Sequence, residues 1–176
     1  MAGINSRSKG CRAERMAAES FKKWAKQDFA RTPSSGGLHW KSSNVKGDIV
    51  CTSEGHYFPF CIEVKSYAEA KINLAHLIVG KKDCIVHTFW EQCLRDAKRA
   101  NKTPILIMRY NGLPKEEWIV VVDIDFFQLL KQANPVEWRT EMNYIVSVKD
   151  GWALMNSKHF FSSSYKSIKK LLKSKK

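Results

Sequence analysis

The feature that most constrains the fold is a pair of short apolar runs in the first half of the chain, with a polar turn between them. The first run is Asp48–Cys51 and the second is Phe58–Lys65, and the residues between them include Gly55. Apolar runs of this length that are bounded by turn residues are typical of an antiparallel β-hairpin. The sequence therefore predicts a hairpin here, and the chemistry of the chain concentrates in it.

The register of this hairpin brings charged side chains together. Side chains two apart in a strand face the same side, so Glu63 and Lys65 project together. Ile62 and Val64 then enter the core. If the chain turns midway between the two runs, Asp48 lies directly across from Glu63 on the neighbouring strand. The sequence thus predicts a patch of two carboxylates and one ammonium group.

Two facing carboxylates repel each other, and a divalent cation is the natural compensation. Mg²⁺ suits such a site because it takes one or two carboxylates and keeps several waters, which leaves room for a phosphate oxygen. A metal of this kind polarises a phosphodiester, and Lys65 can orient a water or stabilise developing negative charge. The alternative is an ordinary exposed ion pair of Glu63 and Lys65, which contributes under about 1 kcal/mol to stability.

The charge distribution indicates a polyanionic partner. The chain carries 30 Lys and Arg against 17 Asp and Glu in 176 residues, a net charge of +13. The excess lies at the two ends, with ten basic and three acidic residues in 1–47 and seven lysines and no acid in 158–176. Neither end shows the apolar face with aromatic anchors that membrane binding needs, so nucleic acid is favoured. The sequence shows neither an apolar secretion signal nor an apolar run long enough to span a membrane, so we expect a cytoplasmic protein. The five cysteines have no zinc-type spacing, and we expect them to be reduced.

The rest of the chain alternates between helical and strand patterns, which predicts an α/β domain with a central mixed sheet flanked by helices. Turn residues predict a loop at 34–37 and a turn at 80–83. The apolar spacing predicts strands over 74–79, 104–110, 118–122 and 144–148. It predicts helices over 6–28, over 88–101 with Thr88 as N-cap and Glu91 as its capping-box partner, from Asp123 or Asp125 to Gln132, and, as a short basic helix, after Ser162–Ser164.

Five segments in this order resemble the PD-(D/E)XK nuclease superfamily, and within it the archaeal-type Holliday junction resolvases and their phage relatives. They are SKGCRAER (8–15), RTPSSGG (31–37), KGDIV (46–50), IEVK (62–65) and the Gln92 helix followed by PILIMRY (104–110). The resemblance implies a restriction-endonuclease-like core over 1–123, with 124–176 as a C-terminal extension packed on the same domain and ending in a basic tail. One departure is Gly47, where the family pattern usually has proline.

The resemblance also implies roles for single residues. Asp48 and Glu63 would be direct metal ligands together with the Val64 carbonyl, and Glu14 would be a helical acid near the metal. Lys65 would be the catalytic base or electrostatic partner. Ser34 and Ser35 would fall in a catalytic loop that reaches the scissile phosphate, Gln92 would support the Lys65 region, and the phosphate contacts would come from Arg7, Lys9, Arg12, Arg15 and Arg31.

The expected activity is hydrolysis of phosphodiester bonds in four-way DNA junctions, with Mg²⁺ as cofactor and Mn²⁺ able to replace it. The expected partners are branched double-stranded DNA and a second copy of the chain, because paired incisions need two active sites related by symmetry. No membrane and no small-molecule cofactor are expected; a viral member would work in the host cytoplasm. Two alternatives stay open: a nuclease of the same superfamily that acts on duplex ends or specific sites, and a non-catalytic basic nucleic-acid-binding domain.

Overall fold

The structure is a computed structural model that describes residues 6–32, 46–67, 74–78, 84–133 and 144–174. The predicted loop at 34–37 and the predicted turn at 80–83 lie outside these ranges, as do Ser34 and Ser35. No helix in the described ranges is both long and apolar enough to cross a membrane.

Helices and strands alternate along the described chain, as the sequence pattern predicts. The helices are α1 Ser6–Ala25, α2 Leu74–Ile78, α3 Ile85–Ala100, α4 Ile124–Ala133, α5 Ser157–Ser162 and α6 Tyr165–Ser174. The strands are β1 Phe29–Arg31, β2 Ile49–Cys51, β3 Phe60–Tyr67, β4 Thr103–Tyr110, β5 Ile119–Asp123, β6 Tyr144–Ser147 and β7 Trp152–Asn156.

The strands form one mixed seven-stranded sheet in the order β1-β2-β3-β4-β5-β7-β6. The central pair β3 and β4 is parallel, and the other described pairs are antiparallel. Because α3 connects β3 to β4, this part is a βαβ crossover, the usual connection between parallel strands. The expected α/β fold with a mixed sheet flanked by helices is confirmed.

The central strands are buried on both faces. Along β4, Ile105 and Ile107 belong to one apolar cluster, while Leu106 and Met108 belong to the other, and all four are 0% exposed. The first cluster contains side chains of α1, α4, α5 and α6, and the second contains side chains of α2 and α3. A continuous apolar run such as this one is expected for a strand that is covered on both faces.

The strand predicted over 74–79 is wrong, because Leu74–Ile78 forms the short helix α2. Leu77 packs into the cluster on the α3 side of the sheet. A short apolar run does not distinguish a strand from a buried helical turn by periodicity, and here packing against that cluster decides.

Two helix ends also differ from the prediction. Helix α1 stops at Ala25 rather than 28, because Lys26 takes a left-handed φ of 53° and β1 follows. Helix α3 begins at Ile85, so Thr88 is not its N-cap; the residue before the helix is Cys84, whose side chain makes no capping hydrogen bond. The buried side chain of Val86 continues the apolar face of α3 toward its start.

The second half of the chain follows the prediction with two additional elements. Asp123 caps α4, since its Oδ1 accepts a hydrogen bond from the Phe126 N–H at 2.7 Å. The predicted late strand is β6, and the predicted basic helix is α6. Strand β7 and helix α5 were not predicted, and β7 joins β6 to the sheet by pairing with β5.

Candidate active site

Asp48 is held across from Glu63 by the pairing of β2 with β3. The register pairs Ile49 with Ile62, as the sequence predicts, so the residue before β2 meets the residue after Ile62. The Asp48 N–H donates to the Ile62 carbonyl at 2.8 Å, and the Val64 N–H donates to Asp48 Oδ2 at 2.7 Å. The backbone of β3 therefore fixes both the main chain and the carboxylate of Asp48.

Gly47 permits this close approach. Its φ is +93°, and a Cβ built on it would lie 2.6 Å from the Ile62 carbonyl oxygen. Proline, which the family pattern usually has here, holds φ near −65° and does not fit this backbone. The departure at position 47 thus accompanies a local conformation that requires glycine.

Thr32 supports the same turn, a role that its place in the segment 31–37 does not indicate. Its N–H donates to the Asp48 carbonyl at 2.8 Å, and its hydroxyl donates to the Gly47 carbonyl at 2.9 Å. Both contacts cross from the end of β1 to the start of β2, so only the tertiary structure reveals them.

Glu63 is a buried carboxylate with two donors. It is 3% exposed, and its Oε1 accepts hydrogen bonds from Lys65 Nζ and, at 2.7 Å, from Gln92 Nε2. Lys65 Nζ also lies 5.5 Å from the centre of the Phe89 ring. The pair of Glu63 and Lys65 is therefore not an ordinary exposed surface pair, and α3 supplies Gln92 and Phe89 to surround it.

Burial raises the pKa of both carboxyl groups. Desolvation, followed by the negative charge of Glu63, raises the pKa of Asp48 to about 7. Desolvation likewise raises the pKa of Glu63, although the hydrogen bond and charge of Lys65 oppose this. Two buried carboxylates with raised pKa values favour a compensating cation.

The oxygen atoms of the pair fit a hard divalent cation. The hydrogen bonds of Asp48 use Oδ2 and those of Glu63 use Oε1, so within the described ranges no donor engages Asp48 Oδ1 or Glu63 Oε2. Carboxylate and carbonyl oxygens are the ligands that Mg²⁺ and Mn²⁺ prefer. Asp48, Glu63 and the Val64 carbonyl together offer this donor chemistry.

Glu14 lies near this pair but has its own partner. Its Oε2 accepts a hydrogen bond from Arg31 Nε at 2.7 Å, and its charge is one of the smaller causes that raise the pKa of Asp48 and Glu63. Among the described residues, no three His, Cys, Asp or Glu side chains come together as a ready-made metal cage. The structure thus pairs two carboxylates closely and keeps the third in an ion pair beside them.

The expected phosphate contacts lie along α1 and β1. Arg12 and Arg15 are exposed, Lys9 is half-buried, and Arg31 pairs with Glu14. Arg7 belongs to α1, but its side chain lies outside the described part of the chain, as do Ser34 and Ser35.

The chain is similar to known phage proteins. The family model described as "Phage putative PDDEXK endonuclease" matches residues 5–169. The chain is also 26% identical over 155 residues to "Protein D14" of Escherichia phage T5, an alignment that covers 85% of this chain and 92% of that protein. No solved structure matches. Since the family model spans nearly all of the sequence and includes the strands that carry Asp48, Glu63 and Lys65, the chain belongs to this phage PDDEXK endonuclease family.

Proposed function

We propose that the protein is a divalent-metal-dependent DNA endonuclease that hydrolyses phosphodiester bonds and selects four-way junctions. The observation that carries the chemistry is the buried pair of Asp48 and Glu63, with Lys65 bonded to the second. A nuclease family acts on DNA, and the net charge of +13 suits a polyanionic substrate.

Asp48, Glu63 and the Val64 carbonyl would hold Mg²⁺, with Mn²⁺ as a substitute. The ion would polarise the phosphodiester and lower the pKa of a bound water. Glu63 accepts a hydrogen bond from Lys65 Nζ, and the Phe89 ring lies 5.5 Å from the same ammonium group, so both help to hold it in place. From there Lys65 orients the attacking water or stabilises the negative charge that develops on the phosphate.

Gln92 and Glu14 would act through these groups. Gln92 donates to the same Glu63 oxygen as Lys65, so it keeps the carboxylate oriented. Glu14 holds Arg31 beside the site, where the guanidinium can contact the substrate phosphate. Ser34 and Ser35 would join the site from the neighbouring loop, as the family resemblance implies.

Selection of branched DNA is supported by a second basic surface, at the end of the sheet opposite to the basic residues of α1. Lys98, Lys102, Lys169 and Lys173 line a cavity of about 560 Å³ together with the exposed Tyr57, and none of the described residues that line it is acidic. The cavity lies at the N-terminal ends of β3 and β4, whereas the basic residues of α1 lie toward the opposite ends. A substrate with several duplex arms can use both surfaces at once.

The test compares a four-way junction, a flap and a linear duplex of the same sequence, each with Mg²⁺, with Mn²⁺ and with EDTA. Preferential cleavage of the junction, with two symmetric nicks by a dimer, is expected. If the linear duplex is cleaved as well as the junction, the protein does not select junctions and is a general duplex nuclease. Binding without cleavage under every metal condition would leave only the non-catalytic alternative.

A further inference from the structure

A cationic cleft lies between the first half of α1 and the turn that joins β4 to β5. Its volume is about 360 Å³, and among the described residues that line it four carry a positive charge and none is acidic. The charged residues are Lys9, Arg12, Arg109 and Lys115. Lys115 belongs to none of the segments that carry the family resemblance, and Arg109, which lies in PILIMRY (104–110), has no role that the resemblance implies.

Arg109 is fixed in place before any ligand arrives. Its Nη1 donates to the Lys115 carbonyl and its Nη2 to the Leu113 carbonyl, each at 3.2 Å. The guanidinium lies 5.4 Å from the centre of the Trp118 ring. Because these contacts hold the head group already, a ligand that binds it costs little further side-chain entropy.

Arg12 and Arg109 line the same cleft, in which no acidic side chain is found among the described residues. Burial, and then the positive charge of Arg12, lowers the pKa of Arg109. Within the described ranges, none of the four cleft cations forms a salt bridge. Two neighbouring guanidinium groups repel each other unless an anion lies between them, and their donors match a phosphate well.

The cleft adjoins the candidate active site. Strands β3 and β4 are parallel, and Arg109 is the direct partner of Ser66, which follows Lys65. Neighbouring strands lie about 4.8 Å apart, so the backbones of Arg109 and Lys65 are separated by only about 6 Å. Successive side chains of a strand point to opposite faces of the sheet. Lys65 and the cleft therefore lie on opposite faces of the sheet, but at the same C-terminal ends of β3 and β4.

We propose that this cleft binds a phosphate group of the nucleic-acid strand close to the phosphodiester that is cleaved. Its position relative to the cleaved bond rests on the proposed function, but phosphate binding by the cleft does not. The group is either an internal phosphodiester or the phosphate at the end of a strand, since both present the same oxygens to the guanidinium fork.

The test uses Arg12→Glu and Lys115→Glu, because both side chains are exposed and neither is a hydrogen-bond partner of Glu63, whose partners are Lys65 and Gln92. The matched control is Lys149→Glu, an exposed lysine in the β6–β7 turn, which lies at the end of the sheet away from Arg109. Binding of a fluorescent DNA duplex is measured in EDTA, so that cleavage plays no part. Each cleft variant is expected to weaken binding about tenfold or more, which corresponds to one lost charge-assisted contact, and the control by much less.

The same titration with and without a 5′-terminal phosphate separates the two sources of the ligand. If the cleft holds an internal phosphodiester, the loss is the same on both duplexes; if it holds the terminal group, the loss disappears when that group is removed. Equal binding by the wild type, the cleft variants and the control would overturn the proposal. If the cleft variants bind DNA more weakly but the wild type shows no Mg²⁺-dependent cleavage, the phosphate site is supported and the proposed nuclease activity is contradicted. If the wild type cleaves DNA but the cleft variants bind as tightly as the wild type, the nuclease activity is supported and the phosphate site is contradicted.

Discussion

The carboxylate of Asp48 and the backbone N–H of Val64 are joined by a 2.7 Å hydrogen bond that crosses from β2 to β3. This contact holds a charged group in a buried position next to Glu63, where burial and like charge both disfavour ionisation. The strand pairing thus holds an electrostatically unfavourable arrangement in place, and a bound cation would relieve it.

The Asp48→Asn substitution should stabilise the metal-free protein at pH 8. The pKa of Asp48 rises from 3.8 to about 7 on folding, so the folded chain binds more protons than the unfolded chain between these values. The free energy of unfolding therefore falls as pH rises from about 4 to 7, and asparagine removes this loss while its amide oxygen still accepts the Val64 hydrogen bond. We expect a gain of about 1 to 3 kcal/mol, measured by denaturant unfolding in EDTA.

The control for that measurement is Glu54→Gln, which removes an exposed carboxylate from the turn between β2 and β3. It should leave the pH dependence unchanged. A pH profile of the Asp48→Asn variant that is parallel to that of the wild type would contradict the electrostatic account of the site.

The Lys65→Ala substitution should lower the cleavage rate by about a hundredfold or more, with little change in DNA affinity. Lys65 is one of 30 basic residues, so it supplies little of the total attraction to phosphates, but its ammonium group is fixed by Glu63 at the reacting centre. Single-turnover cleavage and DNA binding in EDTA measure the two quantities separately. If affinity fell in step with the rate, Lys65 would be a phosphate contact only.

The Gly47→Ala substitution should destabilise the fold by more than the same change at Gly112. Both glycines have a φ near +100°, so alanine is strained at either position by about 1 to 2 kcal/mol. Only at position 47 does the new Cβ also meet a backbone oxygen, at 2.6 Å, whereas nothing lies within 4 Å at position 112. Chemical denaturation of both variants should show at least about 1 kcal/mol of extra loss for Gly47→Ala, and equal losses would show that the β2–β3 approach is looser than described.

Replacing the lysines of α6 by glutamine should reduce the salt dependence of DNA binding if this helix contacts the DNA backbone. Ile168 of the same helix is 0% exposed, so deleting residues 166–176 would also remove core packing, and charge-neutralising substitutions are the cleaner test. The variant carries glutamine at Lys166, Lys169, Lys170 and Lys173. Each phosphate contact contributes about 0.9 to the slope of log K against log salt, so the slope should fall by up to about 3 to 4.

An unchanged slope would mean that the lysines of α6 are solvated and that the helix serves only to pack on the core. The binding surface would then be the α1 side, with Lys9, Arg12 and Arg15 as the phosphate contacts. The matched control neutralises Lys149 alone, which is exposed in the β6–β7 turn.

The sequence predicts the central pair well because local rules determine it. A two-residue side-chain period and a turn between two apolar runs are enough to place Asp48 across from Glu63, and the observed pairing of Ile49 with Ile62 confirms this register. Other local rules predict β4, from its β-branched apolar run, and a cap of α4 at Asp123 or Asp125, of which the structure uses Asp123.

The sequence does not predict what depends on tertiary packing. The apolar run of Leu74–Ile78 fits a strand or a helix equally well. It forms a helix because Leu77 packs into the apolar cluster on the α3 side of the sheet. Arg109 and Thr32 lie in segments that carry the family resemblance, but their contacts are not predicted. Arg109 donates to carbonyls of the following β4–β5 turn, and Thr32 donates across to Gly47, and only the folded chain shows these contacts.

Cleavage of a four-way DNA junction by wild type, Asp48→Asn and Glu63→Gln, with Mg²⁺ and with EDTA, tests the central claim most directly. We expect Mg²⁺-dependent nicking by the wild type, and a loss of at least about a thousandfold in both variants, because each loses a metal ligand. Both variants should still bind the junction in EDTA as tightly as the wild type or more tightly, since a negative charge near the phosphate is removed. Cleavage by either variant at the wild-type rate with Mg²⁺ would contradict the assignment of Asp48 and Glu63 as the active site.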